Sequence, residues 1–316
     1  MRLTAEGQIT NELIRILLYF DVFAYPLTRR EIICYSGLER NQWRVIGRAL
    51  DYLVKEGMVN FYCGAYYIGN HKSKVLRRFE GNRRAAERMK AARKYSRIIS
   101  YFPFVRGIFI SGSLSKGYAA EKDDIDYFIV TRPGRLWLVR TMLTLFKKIF
   151  LFNSYRNFCI NYFVDEDHLF IKEHNRYTAT EIVFLIPVFN HGLYSKFLER
   201  NSWVRSYYPN FKQQYDFCHE KNPALKRWFE KILGNSFVDI LESYFHRASR
   251  NYIKKKFAYM DQERFSGSFT MLRHELRYLP GRQQFNILKK YNEKVEKFEK
   301  EARFAISSKN LVESEA

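Results

Sequence analysis

Hydrophobic positions in the first seventy residues recur at helical spacing and then switch to strand spacing. Leu13, Ile14, Ile16, Leu17, Leu18 and Phe20 give a helix with a wide apolar face, which Pro26 ends. Thr28 begins a second helix, with Glu31 placed three residues later as in a capping box. A third helix runs from about Asn41 to Lys55, with Ile46, Leu50, Tyr52 and Leu53 inward and Gly57 as its stop. Val59 to Cys63 and Ala65 to Ile68 then flank Gly64 as the arms of a hairpin. Three helices followed by a hairpin make a winged-helix pattern over residues 1–70. In the DNA-binding version the third helix enters the major groove, and here it offers Arg40, Asn41, Gln42, Arg44 and Arg48. The same elements also serve to pack on a neighbouring domain or to dimerise.

Residues 71–103 read as a connecting helix, or a helix pair broken at Gly81. Between Lys72 and Arg97 it carries eleven basic residues against Glu80 and Glu87. Leu76, Phe79, Met89, Ile98 and Ile99 form its inward stripe, so the charges read as a solvated face that also steers a charged substrate. Leu136 to Phe152 is the most apolar stretch, but Arg140, Lys147 and Lys148 interrupt it. A spanning helix needs ~20 largely uncharged residues, so this is a buried helix and no membrane span is expected. Residues 191–316 read as a helical C-terminal region. Thr178 or Thr180 caps a helix from Glu181 to Leu193, Pro223 starts one through Ile232, and Asn286 to Arg303 repeats apolar residues at helical spacing.

The chemistry concentrates in residues 104–190. Arg106 to Ile110 is a short apolar run, hence a buried strand, and it leads into Ser111-Gly112-Ser113-Leu114-Ser115-Lys116-Gly117. A strand that ends in Gly-Ser and opens a helix aims backbone N–H groups at one spot, where a phosphate fits. Gly112 permits close approach, Ser113 can cap the helix and donate to a phosphate, and Lys116 lies one turn on. Asp124-Ile125-Asp126 then precedes a second apolar run, Tyr127 to Val130. Alternation puts Asp124 and Asp126 on one face, where two carboxylates repel unless a cation separates them. Mg²⁺ suits carboxylate and phosphate oxygens.

Gly112-Ser113-x-x-x-Gly117 followed by Asp124-Ile125-Asp126 resembles the signature of the DNA-polymerase-β-type nucleotidyltransferase superfamily, in its minimal nucleotidyltransferase branch. The resemblance implies an α/β (α+β) fold, a mixed sheet with packed helices. It implies Mg²⁺- or Mn²⁺-dependent transfer of a nucleoside monophosphate from a nucleoside triphosphate to an acceptor hydroxyl. Asp124 and Asp126 would be metal ligands, and Gly112, Ser113 and Lys116 would bind the triphosphate. The family places a third carboxylate on a later strand. Here that strand is Asn157 to Val164, its mid-strand polar residue is Asn161, and Asp165 follows on the same face by alternation as the substitute. Asp123 stands where the family usually has serine, with no role assigned. A regulator that binds DNA through the winged helix and only senses a nucleotide is the alternative.

The charge of +21 changes this picture little, because it sits at the ends: +10 over residues 1–100, +3 over 101–200 and +8 beyond. It suits polyanionic partners such as nucleic acid without choosing among them. Cys34, Cys63, Cys159 and Cys218 are scattered and the histidines lack metal-ligand spacing, so neither disulfides nor zinc is expected and a reducing cytoplasm fits. His168 and His174 are weaker candidates for assisting an acceptor. Tyr207, Tyr208, Tyr215 and Phe217, interleaved with Arg205 and Lys212, could stack bases or line a helical core. The four tryptophans read as core or interface.

Overall fold

The computed structural model describes residues 5–38, 42–152, 154, 156–212, 218–220 and 223–313. These fall into two compact units. One gathers the described residues of Met1–Glu80, Trp203–Lys212 and Gln284–Ala316, the other those of Gly81–Ser202 and Gln213–Gln283. The division therefore falls inside the basic helix and returns the last helix to the first unit, unlike the boundaries expected at residues 70, 103 and 190.

The first unit begins with α1 (Ala5–Asp21), β1 (Leu27–Thr28), α2 (Arg29–Tyr35) and α3 (Trp43–Lys55). β2 (Asn60–Tyr62) and β3 (Ala65–Tyr67) complete an antiparallel sheet of order β1-β3-β2. The Thr28 side chain accepts from the Glu31 N–H and the Glu31 carboxylate accepts from the Thr28 N–H, so both orphan donors of α2 are satisfied. Ile46, Leu50 and Leu53 are buried as their spacing predicts, whereas Tyr52 is half exposed. α3 turns its 50/53 edge inward, and 52 falls on the opposite side. Gly47 leaves room for the Arg29 guanidinium, which crosses it to donate to the Trp43 carbonyl (3.1 Å); a Cβ there would meet Arg29 at 1.6 Å. Asp21 receives both Lys74 and Lys294 at 2.6 Å. Of the side chains offered for the DNA groove, Arg44 and Arg48 are exposed on α3, while Arg40 and Asn41 lie outside the described residues.

α4 (Ser73–Ser100) is one continuous helix of 28 residues rather than a broken pair. Its stripe is only partly inward: Ile99 is buried, but Leu76 and Phe79 are half exposed. Gly81 is no break. The Tyr118 ring packs where its Cβ would stand, at 2.1 Å.

The second unit is a mixed α/β assembly around a six-stranded sheet of order β7-β4-β5-β6-β9-β8. β4 (Val105–Ser111), β5 (Asp126–Thr131) and β6 (Cys159–Asp165) form its middle, with β5 and β6 parallel and joined by α6 (Leu136–Phe150). Every other pairing is antiparallel. One face of the sheet packs Ile108, Ile110, Ile129 and Phe163 against Ala92 of α4 and Trp137 and Val139 of α6. On the other face, Phe109, Phe128 and Tyr162 stack in a row, with Phe109 and Phe128 touching Phe197 of α8 (His191–Arg200).

Two expectations fail in this unit. The segment read as one helix from Glu181 to Leu193 is α7 (Arg176–Val183), capped by Asn175, then β7 (Ile186–Phe189), then α8. Pro187 cannot sit inside a helix, and a short apolar run does not declare its own period. The C-terminal region is also not purely helical. α9 (Ala224–Ile232), α10 (Ser236–Lys256) and α11 (Gln262–Ser268) lead into β8 (Phe269–Met271) and β9 (Glu275–Tyr278), which extend the sheet before α12 (Gln283–Glu313). β9 pairs with β6, a contact across a hundred residues, and β8 pairs with β9 in turn. Glu242 of α10 caps α6, accepting the N–H groups of Trp137 and Leu138 at 2.8 and 2.7 Å. Trp137 is core, whereas Trp43 and Trp228 are half exposed. No described helix is long and apolar enough to cross a membrane.

Candidate active site

β4 delivers Ser111 opposite Asp126, the first residue of β5. The chain must turn sharply between them, and Gly112 supplies a φ of 67° that L side chains rarely adopt. A second constraint acts at the same atom. A Cβ on Gly112 would stand 2.3 Å from Asp126 Oδ2, so the carboxylate lies directly on the bare Cα. The expected helix beyond the turn is α5 (Gly112–Ser115), a single turn too short for a sizeable dipole. Ser113 does not cap it. Its hydroxyl donates to Asp123 Oδ2 (2.8 Å), which also accepts the Ala120 N–H (2.8 Å). Asp123 thus has a role the sequence left open: it closes the loop between the Gly-Ser turn and Asp124.

α4 holds the same loop from outside. Asn82 donates to the Gly117 carbonyl, Arg84 to Ala119 (3.0 Å), and Arg88 to both Asp123 and Arg156 (3.0 Å to the latter). These cations read from sequence as a solvated face. Three of that helix's polar side chains instead satisfy loop carbonyls.

Asp124 precedes β5, and Ile125 between the two acids is fully buried. Burial, with the neighbouring charges of Asp124 and Glu181, lifts the Asp126 carboxyl from 3.8 to about 6; the Cys159 thiol and Lys116 offset part of the rise. Burial and the carboxylates of Asp126 and Asp124 push the Cys159 thiol up to about 12. Asn161 donates to Asp126 Oδ1 (2.8 Å). It reaches Asp126 because β6 bulges there: Tyr127 faces Ile160 and Phe128 faces Tyr162, leaving Asn161 unpaired between them.

That bulge also breaks the alternation that put Asp165 on the face of Asn161. Asp165 pairs with Thr131, the last residue of β5, about 16 Å along the strand from Asp126 at ~3.3 Å per residue. It is buried, accepts the N–H groups of Asp167 and His168 (3.1 Å each), and lies 2.6 Å from His168 Nδ1. The structure does not bring it to the Asp124–Asp126 pair.

The acid that does approach is one that no motif marked. Glu181, on α7, receives Lys116 Nζ at 3.0 Å, while the same ammonium donates to the Gly112 carbonyl at 3.0 Å. Gly112, Lys116, Asp124, Asp126 and Glu181 therefore lie together, the Ser113 hydroxyl is turned to Asp123, and Asp165 is not among them. Among the described residues no group of three His, Cys, Asp or Glu side chains is arranged to hold a metal ion. Of the tyrosine-rich stretch, Tyr208 is buried and Tyr207 partly exposed, while Tyr215 and Phe217 lie outside the described residues.

Comparison with known proteins returns no matching family model, no matching curated protein and no matching solved structure. The functional reading rests on the chain's own residues.

Proposed function

We propose that this protein transfers a nucleoside monophosphate from a nucleoside triphosphate to an acceptor hydroxyl, with a divalent cation at Asp124 and Asp126. The observation that carries the reading is the carboxylate of Asp126 seated on the bare Cα of Gly112, with Asp124 and Glu181 adding like charge around it. Such a cluster is costly at neutral pH unless a cation joins it. Mg²⁺ binds through one or two carboxylates and fills the rest of its octahedron with water and phosphate oxygens, so a pair of hard donors fits and a three-residue cage is not required. Bound there, the ion would supply Lewis-acid chemistry at a phosphoryl oxygen.

The chain's own residues have separable tasks in this reading. The Gly112 turn, bare at its Cα, seats the Asp126 carboxylate against the backbone, where a cation held there would meet a triphosphate. Lys116 would exchange its bond to Glu181 for a phosphate oxygen, which frees Glu181. Glu181 then stands where an acceptor hydroxyl's proton could be taken, the task β6 leaves undone at Asn161. Asp123 and the α4 side chains keep the loop in place.

Asn161 favours one other reading. Because β6 presents an amide to Asp126, the domain could hold a nucleotide without turning it over. The first unit would then act as a winged helix on DNA, with Arg44 and Arg48 exposed on α3. The order of its helices and strands is the order a winged helix requires.

The test is pyrophosphate release from each of the four ribonucleoside triphosphates with Mg²⁺ or Mn²⁺, with cell extract as acceptor source. Wild type should release it, and Asp124→Asn/Asp126→Asn should not while keeping its circular dichroism. Unchanged release in that variant would sink the assignment. Metal-dependent nucleotide binding without release, together with salt-sensitive duplex binding lost in Arg44→Ala/Arg48→Ala, would favour the regulator.

A further inference from the structure

A second constellation is built at the far end of β6. A cavity of about 450 Å³ lies there, between the turn that follows β6, the C-terminal half of α8 and the β8–β9 turn. That volume suits a small organic ligand. Its floor is rigid. Asp165 is 3% exposed and fixes His168 through the ring nitrogen Nδ1 at 2.6 Å, leaving Nε2 to face outward. The Asp165 N–H donates to the His274 carbonyl (3.0 Å), which ties the β8–β9 turn to the same point. The two imidazoles consequently stack, centroids 3.9 Å apart and planes within 16°. Burial and the neighbouring His168 hold the His274 imidazole below its ordinary value.

The rim carries three exposed cations beside three acids. Lys196 and Arg200 sit one turn apart on α8, and Lys172 approaches from the segment before α7. None of the three makes a salt bridge among the described residues. Like charges one turn apart on a helix repel, and so do stacked imidazoles once protonated. The acids around the cavity settle that charge only in part, Glu166 feeling Lys196 as well as Arg106. Glu166 is drawn to Arg106 at 3.8 Å, Glu275 accepts the Tyr162 hydroxyl at 2.7 Å, and Asp165 is taken up by His168 and two amides. Asp167 is exposed. Leu169 and Phe170 give the cavity an apolar wall.

We propose that this cavity binds a phosphate monoester. The phosphate dianion is held between Lys172, Lys196, Arg200 and the stacked His168–His274 pair, and the organic group lies against Leu169 and Phe170. Three cations and two imidazoles around one space match the several acceptor oxygens and double charge of phosphate better than a carboxylate. The site is independent of the Asp126 cluster and needs no divalent metal.

Calorimetric titration of the full chain with inorganic phosphate and with phenyl phosphate, in metal-free buffer, tests this. One-to-one binding of phosphate is expected in the millimolar range or tighter, with phenyl phosphate binding more tightly. Lys196→Ala/Arg200→Ala should lose about tenfold or more in affinity for both, since each removes a charge-assisted bond. Equal affinity for the two probes would assign free phosphate as the ligand and keep the site. No heat from either probe at about 20 mM, or unchanged affinity in the double variant, overturns the proposal. If that variant does not fold, the imidazole proton resonances of the wild-type protein decide: His168 and His274 should shift on adding phosphate, and static resonances overturn it.

Discussion

Asp126 and Asp165 stand at opposite ends of two adjacent parallel strands, and their surroundings differ in kind. Asp165 is satisfied: two backbone N–H groups and an imidazole converge on one of its oxygens. Asp126 has one amide donor, a weak thiol neighbour, two like charges and only Lys116 against them, and burial above all lifts its carboxyl to about 6. A carboxylate at a strand's end is a structural clamp when donors surround it. It becomes a reagent when other acids do. The contrast explains why motif position alone placed Asp165 beside Asp126, where the structure has Glu181.

The sharpest break of this comparison is in turnover. Asp126→Asn alone should lower pyrophosphate release by roughly a hundredfold or more, in line with losing one preorganised electrostatic group; residual release near wild type would place the cation elsewhere. Gly112→Ala comes next. It combines a strained φ with a 2.3 Å contact on Asp126 Oδ2, and should cost about 3 kcal/mol of stability in urea denaturation. Removing the obstructing carboxyl as well, in Gly112→Ala/Asp126→Ala, should return part of that loss, and simple additivity would contradict the contact.

The two acids should then contribute to stability with opposite sign. Asp165→Ala removes the acceptor of two part-buried N–H groups and an imidazole, and should destabilise by about 2 kcal/mol. Asp126→Asn keeps the Asn161 acceptor but removes an unfavourable charge, and at neutral pH should stabilise the metal-free protein by about 2 kcal/mol. The pH dependence follows. A carboxyl raised from 3.8 to about 6 on folding holds its proton better in the folded state. Its contribution is fully present below 3.8, falls as pH rises through about 6, and is flat above. Melting curves of metal-free wild type and Asp126→Asn should therefore diverge across that window, and Mg²⁺ should narrow the gap at neutral pH. Curves that stay parallel would mean that Asp126 is not crowded.

The smallest effect tests the loop. Arg88→Met removes donors to two carbonyls at the rim of the site and should cost about 1 kcal/mol. A larger loss in nucleotide affinity than in stability would identify the clamp as a positioning device.

Much of this was legible locally. The Thr28–Glu31 capping box, the buried side of α3 and the β4–turn–β5 order of Gly112, Asp124 and Asp126 all depend on spacings of a few residues, where propensity and alternation act directly. Short-range physics also marked Gly112, since a Gly-Ser turn between two apolar runs admits few other conformations. What local pattern could not supply was pairing. Asn161 reaches Asp126 only because β6 bulges, and a bulge shifts every later side chain to the other face. Glu181 reaches Lys116 through the packing of α7, β9 pairs with β6 and β8 with β9 in turn, and the α4 arginines found carbonyls thirty-five residues away. The sequence by itself determined where the chain turns and which residues carry charge into that turn. Only the tertiary structure decided which charges meet, because a carboxylate's chemistry depends on neighbours that the chain order does not make adjacent.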